Sequence, residues 1–221
     1  GEAERCIQCS KPTCIAGCPV AIDIPRFIRH LVVRDIDGAL EVIREASIFP
    51  SVCGRVCPQE TQCEAQCVIA KKVESVGIGR LERFVGDNGK LKPTVPPRFA
   101  AADKLGKVAI CGSGPAGLAV AADLVKYGCD VTVYEALHVV GGVLRYGIPS
   151  FRLPESVLDE EIGHILAMGV ELKLNSPVAS LGQLLAEGYD AVFVGSGAPK
   201  GKELELPGRR EPWEGGYGKP G

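Results

Sequence analysis

The chain has 221 residues, 46% hydrophobic and 24% charged, which is enough to bury one large core or two modest ones. A formal net charge of −2, with no block of lysines or arginines, leaves no electrostatic footprint for nucleic acid or an anionic membrane, so neither is expected as a partner. No run approaches the roughly 18 to 20 apolar residues of a membrane span, and a soluble protein is expected.

Eight of the ten cysteines fall in the first 67 residues, in two runs of four. Cys6, Cys9, Cys14 and Cys18 read C-x2-C-x4-C-x3-C with Pro19 after the last, and Cys53, Cys57, Cys63 and Cys67 read C-x3-C-x5-C-x3-C with Pro58 after the second. Both lie near the ferredoxin run in which three close thiolates hold one 4Fe-4S cluster and the fourth reaches across to another, so two 4Fe-4S clusters are expected. A disulfide framework is not, because the opening residues carry no basic, apolar signal stretch. Zinc is the competing occupant. Its sites usually pair two C-x2-4-C knuckles, whereas here the gaps are uneven and each run has a cysteine followed by proline. Thiolates that must stay reduced fit the cytosol, and a cytoplasmic protein is expected.

Between the runs the pattern is helical. Asp23 can cap a helix whose first turn holds Pro25 and which carries Phe27, Ile28, Leu31 and Val32. Asp37 is the expected cap of a second helix, with Leu40, Val42, Ile43 and Ala46 inward and Ile48-Phe49-Pro50 ending it. A hairpin of these two would bring the second cysteine run back beside the first. A third helix is expected over Gly79 to Val85. Turn formers and prolines from Asp87 to Asp103 then mark a boundary, giving a helical domain over 1–88 and a linker over 89–106.

A new pattern starts at Lys107. Val108-Ala109-Ile110-Cys111 has strand character, Gly112-Ser113-Gly114-Pro115-Ala116-Gly117 follows directly, and an apolar helix runs from Leu118 to Tyr127. Asp130 to Tyr134 makes a second strand with Glu135 at its carboxyl end. This is a dinucleotide fingerprint in its required context: the first glycine allows the tight turn, the second lets backbone approach a pyrophosphate, and the third permits close strand-helix packing. Glu135 is suited to ribose hydroxyls and disfavours a 2'-phosphate, which leaves FAD and NAD.

The segment Gly141-Gly142-Val143-Leu144-Arg145-Tyr146-Gly147-Ile148-Pro149-Ser150-Phe151-Arg152-Leu153-Pro154, joined to two such cysteine runs, resembles the iron-sulfur flavoprotein family. That family includes the glutamate synthase small subunit, the N-terminal region of dihydropyrimidine dehydrogenase and the large subunit of NADH-dependent ferredoxin:NADP oxidoreductase. The resemblance covers roughly residues 3 to 207. It implies FAD rather than NAD in the first dinucleotide site, with contacts from Gly112, Gly114, Pro115, Ala116, Gly117, Glu135, Gly142, Leu144, Arg145, Ile148, Gly195 and Gly197. It further implies a helix from Glu155 to Met168, a strand from Val170 to Leu174, a short helix from Leu181 to Glu187 and a strand from Ala191 to Val194. For the metal sites it implies Cys6, Cys9 and Cys14 with Cys67, and Cys18 with Cys57 and Cys63. Glu82 completes the second set, with Cys53 as the alternative.

The expected fold is therefore α+β and multi-domain: a helical two-cluster domain, a Rossmann-like α/β FAD domain over 107–206 and a Gly/Pro-rich tail over 207–221. The family's second dinucleotide domain is not expected within these residues, because Lys200 stands where Gly195-Ser196-Gly197 would need its third glycine. A longer parent chain and a short subunit both fit. The resemblance implies electron relay between FAD and partner redox centres through the clusters. The partners would be ferredoxin-like, hydrogenase, formate dehydrogenase or synthase subunits, with NAD(P)H reached only through a partner or missing domain. The alternative is a zinc-binding scaffold with a structural dinucleotide fold. His30, His138 and His164 are scattered, Cys111 and Cys129 lack a C-x-x-C pattern, and no catalytic residue is expected.

Overall fold

The computed structural model describes residues 1–90 and 103–198. The chain divides into two units, Gly1–Pro96 with Pro149–Met168, and Pro97–Ile148 with Gly169–Gly221. The sequence reading kept 107–206 together; here the segment from Pro149 to Met168 groups with the helices instead. The expected tail over 207–221 lies outside the described residues, as does most of the linker.

In the helical unit, α1 (Thr13–Ala16), α2 (Ile24–Val32), α3 (Ile36–Arg44), α4 (Pro50–Val56) and α5 (Ile78–Asn88) follow in order. Asp23 caps α2 as expected, its Oδ1 accepting the Arg26 N–H at 3.2 Å. Ile24, Phe27 and Ile28 of α2 share one buried cluster with Ala39, Leu40, Val42 and Ile43 of α3, so the hairpin closes on its apolar stripes. Val32 is 44% exposed and lies off that stripe.

The cap of α3 differs from the expected one. Arg34 takes a left-handed turn (φ +62°) and the helix begins two residues early, capped by Asp35 accepting the Gly38 N–H at 2.9 Å. Asp37 instead sits in the first turn and accepts the Lys90 N–H at 2.8 Å. Because α3 ends at Arg44, Ala46 is exposed rather than inward.

Pro50 opens a helix rather than merely ending one. Its ring is tolerated in the first turn, where the missing N–H has no intrahelical acceptor, and the resulting α4 carries Cys53. It lies tightly against α5: a Cβ on Gly54 would stand 2.5 Å from the Arg83 nitrogen, and one on Gly86 would stand 2.8 Å from the Ser51 nitrogen. Helix α8 (Glu155–Ala167) also belongs to this unit, burying Leu158, Ile162 and Ile165 at helical spacing.

The second unit is a parallel sheet in the order β3-β2-β1-β4. Its strands are β1 (Gly106–Cys111), β2 (Cys129–Tyr134), β3 (Glu171–Lys173) and β4 (Ala191–Val194). Register is set by Cys111 opposite Tyr134 and Val194, and by Tyr134 opposite Lys173. Helix α6 (Pro115–Lys126) buries Leu118, Ala121, Ala122 and Val125; the short α7 (Val143–Tyr146) and α9 (Leu181–Ala186) complete it. The strand order turns at β1, whose carboxyl end carries the glycine turn, so the fingerprint occupies the switch point where open α/β sheets bind ligands. The fold is a helical N-terminal domain with a Rossmann-like domain. Among the described residues no helix is long and apolar enough to cross a membrane.

Candidate functional site

Two thiol-rich sites lie in the helical unit. At the first, Thr13 donates through Oγ1 to the Gln66 carbonyl, which ties the first cysteine run to the end of the second. Cys6, Cys9, Cys14 and Cys67 then line one apolar cavity backed by Ile24 and Ile28. Burial raises the Cys6 thiol above its ordinary pKa and pushes Cys14 up to about 11. Neighbouring thiols add to both shifts, Cys9 and Cys67 acting on Cys6, and Cys6 and Cys67 on Cys14.

The second site takes in the other four cysteines of the two runs, Cys18, Cys53, Cys57 and Cys63, with Cys53 on α4. The neighbouring Cys57 thiol and burial together raise the Cys53 thiol, and Cys53 in turn lowers Cys57. Cys63 is buried and pushed up to about 12, by burial first and then by the nearby charges of Glu64, Glu82 and Cys18. Glu82, on α5, is 6% exposed. Burial, with Cys57 and Glu161 close by, pushes its carboxyl up to about 8. Its Oε1 is buried with no hydrogen-bond partner among the described residues. Cys53, by contrast, has the Ser47 hydroxyl 3.8 Å from its sulfur.

These donors suit the groups expected of them. Buried thiols that repel one another as thiolates would be stabilised by a cationic centre, and the Glu82 oxygen without a hydrogen-bond partner could serve as a further donor. Among the described residues no three His, Cys, Asp or Glu side chains close on a single ion-sized point.

The dinucleotide loop fits its three glycine roles. Gly112 has φ +102°, and a Cβ there would stand 2.5 Å from the Gly195 carbonyl oxygen. Gly114 caps α6 with Pro115 and Ala116 in the first turn, and a Cβ on it would meet nothing within 4 Å, leaving a cradle open at the helix N-terminus. A Cβ on Gly117 would collide with the Gly112 carbonyl. Gly142, at φ +52°, presses its backbone on Gly114, where a Cβ would lie 2.7 Å from the Gly114 Cα. Leu144 is buried, and Arg145 Nε donates to the Val140 carbonyl at 2.8 Å. The Gly195 N–H donates to the Cys111 carbonyl at 2.8 Å, and Gly197 has φ +70°. Ile148 is half-buried at the end of this stretch.

Glu135 does more than the fingerprint requires. Its Oε2 accepts from the Ser113 N–H at 2.9 Å and the Ser113 hydroxyl at 2.5 Å, and its Oε1 accepts from the Leu137 N–H at 2.9 Å. The Ser113 hydroxyl in turn accepts from the Gly141 N–H at 3.1 Å. Ser113, fully buried, thus clasps both glycine loops to the end of β2. It was not singled out from the sequence, where a serine between two glycines carries no signal of its own.

Glu161 was missed as well. It accepts the Ser51 N–H at 2.7 Å in the first turn of α4 and pairs with Arg44 at 3.2 Å. An acid falling on the buried Leu158, Ile162 and Ile165 stripe was the signal available.

A cysteine-lined helical domain followed in sequence by a Rossmann-like glycine turn defines a chain of the thiol-rich, dinucleotide-binding-fold class. Residues 1–93 match the family described as dihydropyrimidine dehydrogenase domain II, 4Fe-4S cluster, and residues 110–160 match the NAD(P)-binding Rossmann-like domain. The chain is 44% identical over 209 residues to the NAD-dependent dihydropyrimidine dehydrogenase subunit PreT homolog of Salmonella typhi, covering 93% of this chain and 50% of that one. It is 45% identical over 209 residues to PreT of Escherichia coli K12, again 93% of this chain and 50% of that one. With the Escherichia coli glutamate synthase [NADPH] small chain it shares 37% over 198 residues, 89% of this chain and 42% of that one. The resemblance to the iron-sulfur flavoprotein family read in the sequence is borne out by these relatives. The chain spans about half the length of the curated relatives it matches first.

Proposed function

We propose that the chain is the electron-transfer part of a larger iron-sulfur flavoprotein oxidoreductase, holding two 4Fe-4S clusters and FAD. The observation that carries this reading is the single apolar cavity into which Cys6, Cys9 and Cys14 open together with Cys67 from the other run. Bound here, a flavin exchanges electrons in pairs or singly and iron-sulfur centres exchange them one at a time, so the pair links two-electron to one-electron chemistry. Cys18, Cys57, Cys63 and Glu82 hold the second centre. The unpartnered Glu82 Oε1 supports the carboxylate as the eighth ligand, with Cys53 as the alternative. The α6 N-terminus and the open face of Gly114 receive the pyrophosphate, and Glu135 offers its remaining acceptor capacity to the adenosine ribose. Redox subunits of a complex are the partners, and NAD(P)H reaches the chain through a partner or a further domain.

Iron, sulfide, zinc and flavin analysis of the anaerobically purified chain tests the reading. Eight irons, a releasable FAD and a broad visible shoulder bleached by dithionite are expected; a colourless, zinc-loaded protein would hand the thiols to the scaffold alternative. Within that protein, Glu82→Ala should shift the signal or lose iron at one cluster while Cys53→Ser leaves both intact, and the reverse outcome would give the place to Cys53.

A further inference from the structure

We propose that Gln8 is a positioning residue of the first thiol site, its side-chain amide donating to the Cys6 sulfur and raising the reduction potential of the centre held there. The inference rests on the iron-sulfur reading above and adds to it a residue that sets the potential. Gln8 is the second residue between Cys6 and Cys9, where its backbone turns left-handed at φ +50°. Ile7 beside it is 63% exposed, while Gln8 is half-buried beside the thiols. Its Nε2 lies 3.5 Å from Cys6 Sγ and 2.9 Å from the Pro25 carbonyl oxygen. An amide nitrogen has two N–H donors, and both are placed: one on the sulfur, the other on the backbone of α2.

The amide is also oriented and polarised from its far side. Arg29, one turn further along α2, donates through Nε to Gln8 Oε1 at 3.2 Å. A cation on the amide oxygen fixes the N/O assignment, since a flipped amide would set its nitrogen against the guanidinium. It also strengthens the N–H donors through the amide, as linked hydrogen bonds polarise one another. Arg29, Gln8 and Cys6 thus form a line of three groups running from solvent to the thiol cavity.

Adding an electron to a thiolate-held centre increases the negative charge on its sulfurs. A donor aimed at one of them stabilises the reduced form more than the oxidised form and raises the potential. The backbone bond to Pro25 keeps the amide in place in both states, so the donor needs no rearrangement when charge arrives.

The test is a redox titration of the intact chain, reconstituted anaerobically with iron and sulfide and followed by electron paramagnetic resonance. The first-site signal is identified as the one lost in Cys9→Ser. Gln8→Met, which keeps length and removes the donor, should lower the reduced-to-oxidised ratio of that signal at fixed potential about tenfold, or about 59 mV for a one-electron couple. Gln8→Glu, which turns a carboxylate towards the sulfur, should lower it further. Arg29→Leu should move it less and in the same direction, and the second signal should stay still in all three. Wild-type midpoints in both Gln8→Met and Arg29→Leu at full iron content would overturn the inference. If Gln8→Met fails to assemble its cluster, Arg29→Leu decides alone, an unmoved midpoint counting against the proposal. A wild-type chain without reducible iron would instead sink the iron-sulfur reading, and this inference with it.

Discussion

At the residue scale, the fingerprint glycines were legible because the backbone leaves no alternative to glycine at two of them and no obvious need for it at the third. Gly112 sits at φ +102°, and Gly117 has the Gly112 carbonyl where its Cβ would be. Gly114, at φ −71° and ψ 178°, has ordinary geometry and open space. The two kinds of constraint separate experimentally. Gly117→Ala should destabilise the sheet unit by about 3 kcal/mol through overpacking, read as a lower denaturant midpoint. Gly114→Ala should leave that midpoint within about 0.5 kcal/mol of wild type while weakening retention of the flavin tenfold or more, because the methyl group fills the cradle. Equal flavin retention in Gly114→Ala would remove the turn from the binding site. The clasp of Ser113 by Glu135 was not legible in this way. Whether a carboxylate at the end of a strand turns back on its own loop depends on the rotamer it takes beside the neighbouring strand, which periodicity does not encode.

At the scale of elements, helix existence was easier to read than helix ends. The α2 and α3 hairpin followed from apolar spacing, yet the α3 cap moved from Asp37 to Asp35 because the left-handed Arg34 closes the connection early. Pro50 was read as a stop, and the pattern does not distinguish a proline after one helix from a proline opening the next. Its consequence is α4, which carries Cys53, and α4 is tied down from far along the chain by Glu161. With Glu161 only 3% exposed, Glu161→Ala leaves the Ser51 N–H without its acceptor and Arg44 without its partner. A loss of about 3 kcal/mol is expected in the unfolding of the helical unit. Glu161→Gln keeps an acceptor for Ser51 and gives up only the charge, so it should cost about 1 kcal/mol. Equal and small losses in the two variants would mean that the carboxylate is not the tie.

At the scale of the whole chain, the two cysteine runs and the glycine turn fall in different units, so the two loads should be separable: Cys67→Ser should lose iron and keep flavin, and Gly114→Ala the reverse. What the fold has room for then bears on the nicotinamide. The described residues form one parallel sheet with one glycine turn at its switch point, yet two occupants compete for that turn. The matching domain over residues 110–160 is described as NAD(P)-binding, and the relatives named above carry NAD or NADPH in their names. Glu135 suits the ribose of either NAD or FAD, so the acid does not decide between them. Kinetics can. If the turn holds FAD, mixing the flavin-loaded chain with NADH or NADPH should leave the flavin band unbleached over minutes, while dithionite bleaches it at once. A nicotinamide competing for the turn would displace flavin in proportion to its concentration. One bound elsewhere would bleach the flavin quickly without releasing it, and that outcome would place a second nucleotide site on this same chain.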